Sequence, residues 1–254
     1  MRRMLEDKEF FIDKDGFKLH AKMEFPAVQS EKMPLVVLAH GLTGHMDEPH
    51  IMGLAKSIVD SGYISLRVEL YGHGKSDGDF YNHNMLEWVS ELAYVVEYAS
   101  RLEFVSEVVL SGHSQGGFAT VLAAGLLKDR LKAIMLFSPA LVIPDNLQRG
   151  FFFETTFDPE DIPEEVVFWG GNRLSGNYIR IAKDIDCTDA IKAYEGPVLV
   201  VHGEADDAVP FKYGKNVAAQ YKNGTLVTLE NDGHCYEKHL DVAMNAVEKF
   251  LKCM

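Results

Sequence analysis

Cysteine is scarce in this sequence. The three present, Cys187, Cys235 and Cys253, make an odd set with no metal-ligand spacing. A disulfide framework is excluded on that count, and the thiols read as free in a reducing, cytoplasmic compartment. Long apolar runs are missing as well. None approaches the ~18 residues of a membrane span. The opening residues Met1-Arg2-Arg3-Met4-Leu5-Glu6-Asp7 carry two early cations. They put acids where a signal peptide needs its apolar core, so no secretory leader is expected. Positive charge is outnumbered, with 25 Lys and Arg against 38 Asp and Glu and a formal net charge of −13. That balance argues against nucleic acids and anionic membrane surfaces as partners. Internal repeats, low-complexity segments and a dinucleotide-binding glycine fingerprint are all lacking, so no organic cofactor is implied.

What is present is an alternation of strand and helix patterns. Residues 9–13 and 17–25 alternate apolar and polar side chains around Asp15-Gly16, which predicts an antiparallel hairpin. Leu35–Ala39 is a near-continuous apolar strand, as in a sheet covered on both faces. Further strands are expected at 63–68, 108–110, 133–137, 197–201 and 225–229. Helices are expected at 51–61, 86–99, 213–221 and 239–251, with one more directly after the strand at 108–110. This rhythm predicts an α/β chain: one domain over 1–254 with a mostly parallel, twisted sheet of about eight strands and helices on both faces. It breaks at Pro139. From there to about Asp186 the chain carries Pro144, Pro159 and Pro163, the cluster Phe151-Phe152-Phe153, Trp169 and Tyr178. A stretch this long reads as an insertion capping a site.

The chain is organised around Val108–Leu127. A β-branched run meets Gly112-His113-Ser114-Gln115-Gly116-Gly117, and a small-residue apolar helix follows. This is a G-x-S-x-G nucleophile elbow in its required strand–turn–helix context. Glycines at 112 and 116 let strand and helix approach closely around a serine held in a strained conformation. The same pattern recurs at Gly74-Lys75-Ser76-Asp77-Gly78, but no strand abuts it and loop residues follow. Ser114 is the candidate nucleophile and Ser76 is not.

A serine hydroxyl needs a base, and the base needs a group to orient it. In this type of fold the chain order is nucleophile, acid, histidine. Of the ten histidines, His234 lies in a polar loop, Asn231-Asp232-Gly233-His234, after one strand and before the last helix. His239 begins a helix, and His202 closes a strand and is expected to be packed. The acid should follow the strand at 197–201, where Glu204, Asp206 and Asp207 all stand; spacing does not separate them. For the oxyanion, two backbone N–H groups are expected, from Gln115 and from Leu42 in the loop His40-Gly41-Leu42-Thr43-Gly44. His40 reads as a structural residue of that loop. His45, Asp47, Glu48 and His50 lie in a loop without a zinc-helix spacing, so no metal is implied there.

Five segments together carry a family likeness: His40–His45, Tyr71-Gly72-His73-Gly74-Lys75-Ser76-Asp77-Gly78, Gly112–Gly117, Gly203–Pro210 and Gly233-His234-Cys235-Tyr236. Over nearly its full length the chain resembles the α/β-hydrolase superfamily. Within it, the chain is similar to the small bacterial cinnamoyl or feruloyl esterases. The resemblance implies a Gly-x-x-Asp-x-x-Val acid, which selects Asp206, and an inserted cap forming one wall of an aromatic acyl pocket. At matching cap positions it implies recognition of a phenolic hydroxyl by Asp145, Gln148 and Tyr178, with Trp169 lining the pocket. The reaction implied is hydrolysis of hydroxycinnamic esters (ferulic, p-coumaric or caffeic type) through an acyl-enzyme, with a small-molecule ester as the partner. A planar phenylpropenoyl group also suits a slot walled by the aromatics of residues 151–178 with polar tips. The alternatives are a monoacylglycerol lipase or general carboxylesterase with the same machinery, and a binding protein of the same fold without turnover. The prevalence of two-fold assemblies points to a homodimer.

Overall fold

In a computed structural model the chain is described over residues 4–254. The first three residues, including the two arginines of the leader reading, lie outside it. In chain order the elements are β1 (Lys8–Lys14), β2 (Phe17–Glu24), β3 (Met33–Ala39), α1 (Pro49–Asp60), β4 (Ile64–Val68), α2 (Met85–Ser100) and β5 (Val105–His113). Then come α3 (Gln115–Leu127), β6 (Ala133–Phe137), α4 (Val142–Gln148), β7 (Phe151–Phe152), β8 (Thr155–Thr156), β9 (Glu165–Phe168) and β10 (Asn172–Ser175). The chain ends with α5 (Gly176–Ala182), α6 (Thr188–Ala193), β11 (Val198–Gly203), α7 (Lys212–Gln220), β12 (Gly224–Leu229) and α8 (Leu240–Lys252).

Eight strands form the main sheet in the order β1-β2-β4-β3-β5-β6-β11-β12. From β4 to β12 every pairing is parallel, and β2 alone runs against its neighbours. The β1–β2 hairpin closes through Asp15 and Gly16, both at positive φ (52° and 90°), the signature of a two-residue type I′ turn. Strand β3 shows why the sheet is buried on both sides. Leu35, Val37 and Ala39 enter the core shared with α2, α3 and α7, whereas Val36 and Leu38 enter the one shared with α1 and α8. Helix α3 is apolar all round and packs beneath α2 and α6.

Strands β6 and β11 are parallel sheet neighbours joined through α6, so what precedes α6, from Pro139 to about Asp186, is an insertion in the α/β rhythm. It holds α4, the two hairpins β7–β8 and β9–β10, and α5. The helix α6 between Asp186 and Pro197 was not legible in the sequence. Its short TDAIKA segment lacks two full turns of periodicity, and it forms because it docks on α3. The insertion has no core of its own. Phe152, Val166, Phe168, Leu174 and Tyr178 join the core around α2 and α3. Among the described residues no helix is long and apolar enough to cross a membrane.

The order reverses at β3, which lies between β4 and β5, so the loops leaving β3 and β5 diverge to opposite sides. This leaves a crevice at the carboxyl edge of the sheet, where open α/β sheets hold ligands. Backbone strain gathers in the loops of this edge: Thr43, Ser114, Ser138, Asn231 and Tyr236 all have φ between 42° and 63°.

Candidate active site

Ser114 sits between β5 and α3 with φ 54° and ψ −120°. Its backbone is held from both sides. Its N–H donates to the Phe137 carbonyl at the end of β6 (2.8 Å), and its carbonyl accepts from Phe118 and Ala140 (both 3.0 Å). The flanking glycines are needed sterically. A methyl group at Gly112 would collide with the Gly116 carbonyl, and one at Gly116 with the His40 carbonyl. The loop after β3 runs directly past the serine, since a methyl group at Gly41 would stand 2.9 Å from Ser114 Cβ and 3.5 Å from its Oγ. Leu42 follows Gly41 in this loop. Gln115 is the first residue of α3, where a backbone N–H has no intrahelical acceptor.

Two neutral imidazoles bracket Leu42. His40 Nδ1 donates to the Gly41 carbonyl (2.7 Å), and its Nε2 accepts from the Leu70 N–H (3.2 Å). His73 Nε2 accepts from the Thr43 N–H (3.3 Å), while its Nδ1 donates to the Tyr71 carbonyl (3.0 Å). Burial keeps both uncharged: His40 is held well below the usual histidine range and His73 is lowered to about 4. Each ring thus donates at one nitrogen and accepts at the other. The position of His40 agrees with its sequence reading. The part played by His73 was not legible in the sequence beyond its place in the Tyr71–Gly78 segment.

Of the three acids after β11, Asp206 is buried and meets His234, whereas Glu204 and Asp207 are exposed. Its Oδ2 accepts from His234 Nδ1 at 2.7 Å. The same oxygen lies 3.2 Å from His202 Nε2, which also donates to the Val209 carbonyl (2.9 Å). Oδ1 accepts from the N–H groups of Ala208 (3.0 Å) and Val209 (2.7 Å). Burial alone would raise this carboxyl. The hydrogen bonds from His202, His234 and the Val209 N–H outweigh burial and hold it well below the usual carboxylate range. An ionised carboxylate only accepts, so His234 carries its proton on Nδ1 and presents a lone pair at Nε2.

The His234 loop is anchored by residues that the sequence reading left aside. Buried Asp232 accepts from the N–H groups of Gly233, Lys238 and His239. The Tyr236 hydroxyl donates to the Val201 carbonyl (3.1 Å) and meets Ser138 Oγ (3.0 Å). His113, the residue before Ser114, donates from Nε2 to the His234 carbonyl (2.9 Å), and the two rings lie 4.7 Å apart. The loop is therefore fastened to the elbow itself. Ser76 lies elsewhere, its hydroxyl bridging the His20 N–H and the Glu69 carbonyl.

The insertion residues are placed as follows. The Tyr178 hydroxyl donates to Gln115 Oε1 (2.7 Å), with the ring fully buried beside Phe152 and His83. Asp145 accepts from the Tyr213 hydroxyl (2.6 Å), and exposed Gln148 donates to the Lys183 carbonyl (2.7 Å). Trp169 is 61 % exposed and stacks on Phe153. The structure thus ties Tyr178 to the elbow directly, Asp145 to α7 of the main body, and Gln148 to the body of the insertion. Beside the loop after β3, a cleft of about 470 Å³ is lined by Thr43, His45, His73, Lys75, Phe80 and Asn172, among others.

A family model described as serine aminopeptidase, S33, matches residues 30–157, and one described as TAP-like protein matches 182–253. The chain is 30 % identical over 264 residues to the bifunctional esterase/perhydrolase DCH of Acinetobacter calcoaceticus, covering 89 % of this chain and 92 % of that one. Est1E of Butyrivibrio proteoclasticus, solved with ferulic acid bound, is 42 % identical with a TM-score of 0.93, covering 95 % of this chain and 97 % of that one. The α/β hydrolase GrgF of Penicillium sp. sh18 has a TM-score of 0.78 at 19 % identity over 98 % of this chain and 99 % of that one, a likeness of fold alone. The parallel sheet, the serine elbow and these near full-length likenesses agree: the chain belongs to the α/β-hydrolase family and is a carboxylic ester hydrolase of that fold.

Proposed function

We propose that this enzyme cleaves hydroxycinnamic esters through an acyl-enzyme on Ser114. His234 Nε2 takes the proton of the Ser114 hydroxyl as Oγ attacks the ester carbonyl, and Asp206 stabilises the imidazolium that forms. The N–H groups of Leu42 and Gln115 receive the oxyanion, one at each side of the elbow. On collapse the C–O bond to the alcohol breaks, and His234 gives its proton to the departing oxygen. Water, deprotonated by His234, then releases the hydroxycinnamate. The cleft beside Thr43 and Lys75 supports a polar path for the alcohol. Residues 139–186 are the cap of a single domain spanning 1–254. The three free thiols and the acid excess support a cytoplasmic setting.

The observation that carries the mechanism is the short Asp206–His234 hydrogen bond on a loop fastened to the residue before Ser114. The substrate class is supported by the near full-length likeness to a protein that binds ferulic acid, and by the aromatic side chains the insertion brings beside the elbow. A substrate panel tests it. Methyl ferulate should be turned over with a higher kcat/KM than monoacylglycerols or short p-nitrophenyl esters. Preference for a monoacylglycerol would replace the substrate class and leave the mechanism standing. Failure of a fluorophosphonate to label Ser114 would end the mechanism.

A further inference from the structure

We propose that His50, His113 and Cys235 form a binding site for a thiophilic divalent cation, with Zn²⁺ the best-fitting ion, behind the candidate triad. The three residues come from different elements: the second position of α1, the end of β5 and the loop that carries His234. Their ligand atoms all lie within 4.8 Å of one another. His50 Nε2 and His113 Nδ1 are 3.2 Å apart. Two nitrogens bound at zinc–nitrogen distance to one tetrahedral ion stand about 3.3 Å apart, and nitrogen and thiolate sulfur about 3.6 Å. The imidazole pair already has this spacing, and the Cys235 sulfur lies within 4.8 Å of both nitrogens.

The surroundings also suit a ligand set. His113 donates from Nε2 to the His234 carbonyl, so its Nδ1 carries the lone pair that faces His50. A backbone carbonyl fixing the tautomer of a ligating histidine is the usual second partner at such sites. Both imidazoles are almost fully buried and Cys235 is partly exposed, so the ion arrives past the sulfur. Coordination balances simply. Cys235 gives its thiol proton to solvent, His50 moves its proton from Nε2 to Nδ1, and both rings stay neutral. Two histidines, one thiolate and a water make a four-coordinate set of the kind zinc takes. The ligands are spread over 186 positions of sequence, which is why no spacing announced them. The loop at 45–50 that the sequence reading set aside contributes only His50.

Occupancy would tie the His234 loop to the elbow more rigidly, because His113 precedes Ser114 and Cys235 follows His234. Ester hydrolysis should then fall as the cation binds. This consequence rests on the Ser114–His234 reading; the binding itself does not. The test starts from chelator-stripped full-length protein titrated with Co²⁺ and followed by absorption. One equivalent should give a thiolate-to-cobalt band in the near ultraviolet and visible bands of a tetrahedral site, both removed by Zn²⁺. Cys235→Ala should abolish the thiolate band. In that variant and in His50→Asn, Zn²⁺ inhibition of ester hydrolysis should be weakened at least tenfold with basal activity retained. Zn²⁺ should raise the melting temperature of the wild type but of neither variant. Absence of a thiolate band, or a band that persists in Cys235→Ala, would overturn the site; inhibition unchanged in both variants would put the inhibiting ion on the His234 imidazole and overturn the coupling. A cobalt band without inhibition would uphold the site and count against its coupling to the His234 loop alone.

Discussion

The carboxyl edge of the sheet and the inserted segment at 139–186 solve different problems with similar side chains. At the edge, polar groups from distant parts of the chain are bonded to one another. His40 and His73 hold one loop, Asp206 holds His234, and His113 ties that loop to the elbow. In the insertion, aromatic rings stack on their neighbours, from buried Phe168 out to exposed Trp169. Its polar side chains mostly close local contacts, such as Gln148 to Lys183. The edge fixes positions to within hydrogen-bond tolerance, as proton transfer requires. The insertion offers apolar area, which selects a shape and tolerates adjustment. Rate should therefore reside at the edge and selectivity in the insertion.

Substitutions at the edge should cost the most and should affect every ester alike. Ser114→Ala should lower kcat by about six orders of magnitude on methyl ferulate and p-nitrophenyl acetate together. A loss confined to one of them would break the comparison. Asp206→Asn should cost about 10⁴ in kcat by disturbing the imidazole tautomer, while Asp207→Asn stays near wild type. Equal losses in the two variants would mean that the Asp206–His234 bond does not orient the base.

Smaller effects test the scaffold and the insertion. Burial lowers His50 and His73 to about 4 and His83 to about 3, and holds His40 and His113 well below 6.5. For such groups stability is fully present above the unfolded value of 6.5 and is lost as pH falls towards the folded one, because the unfolded chain binds the protons first. Glu91, raised to about 8 by burial, and Glu48, also raised by burial, act with the opposite sign but are two groups against five. The melting temperature should therefore drop by about 5 °C or more between pH 7 and pH 5, and a rise would show that these rings are not buried neutral. His73→Phe keeps the ring volume and removes the bond to Thr43. It should lower kcat about tenfold with little change in KM, a fraction of what loss of a whole oxyanion donor costs. Trp169→Ala should be the mildest, raising KM for methyl ferulate a few-fold and leaving p-nitrophenyl acetate and stability nearly unchanged. An equal effect on both esters would place this side chain outside any acyl specificity.

Most of the sheet was readable because its signals are local. The apolar run of β3, the Asp15-Gly16 turn and the small residues around Ser114 each express one backbone requirement within a few positions. Helix α6 was not readable, since six residues form a helix only when docked, and its partner α3 lies some 60 positions earlier in the chain. The choice among Glu204, Asp206 and Asp207 could not be made from spacing and leaned on family likeness; folding buries one and exposes two. Among the histidines, chain order singled out His234 and loop placement singled out His40, but nothing local pointed to the bond between His73 and the Thr43 N–H.

By itself, then, the sequence determined the elbow, the alternation of strands and helices and the break at Pro139, because backbone sterics and burial periodicity act between near neighbours. Only the tertiary structure decided which acid meets His234, that His73 joins His40 in holding the loop after β3, and that His50, His113 and Cys235 lie together. Those are relations across β5, β11 and the loops beyond them. A hydrogen bond between residues a hundred positions apart leaves no periodic trace in the chain, since its geometry exists only once the sheet has brought both ends to one edge.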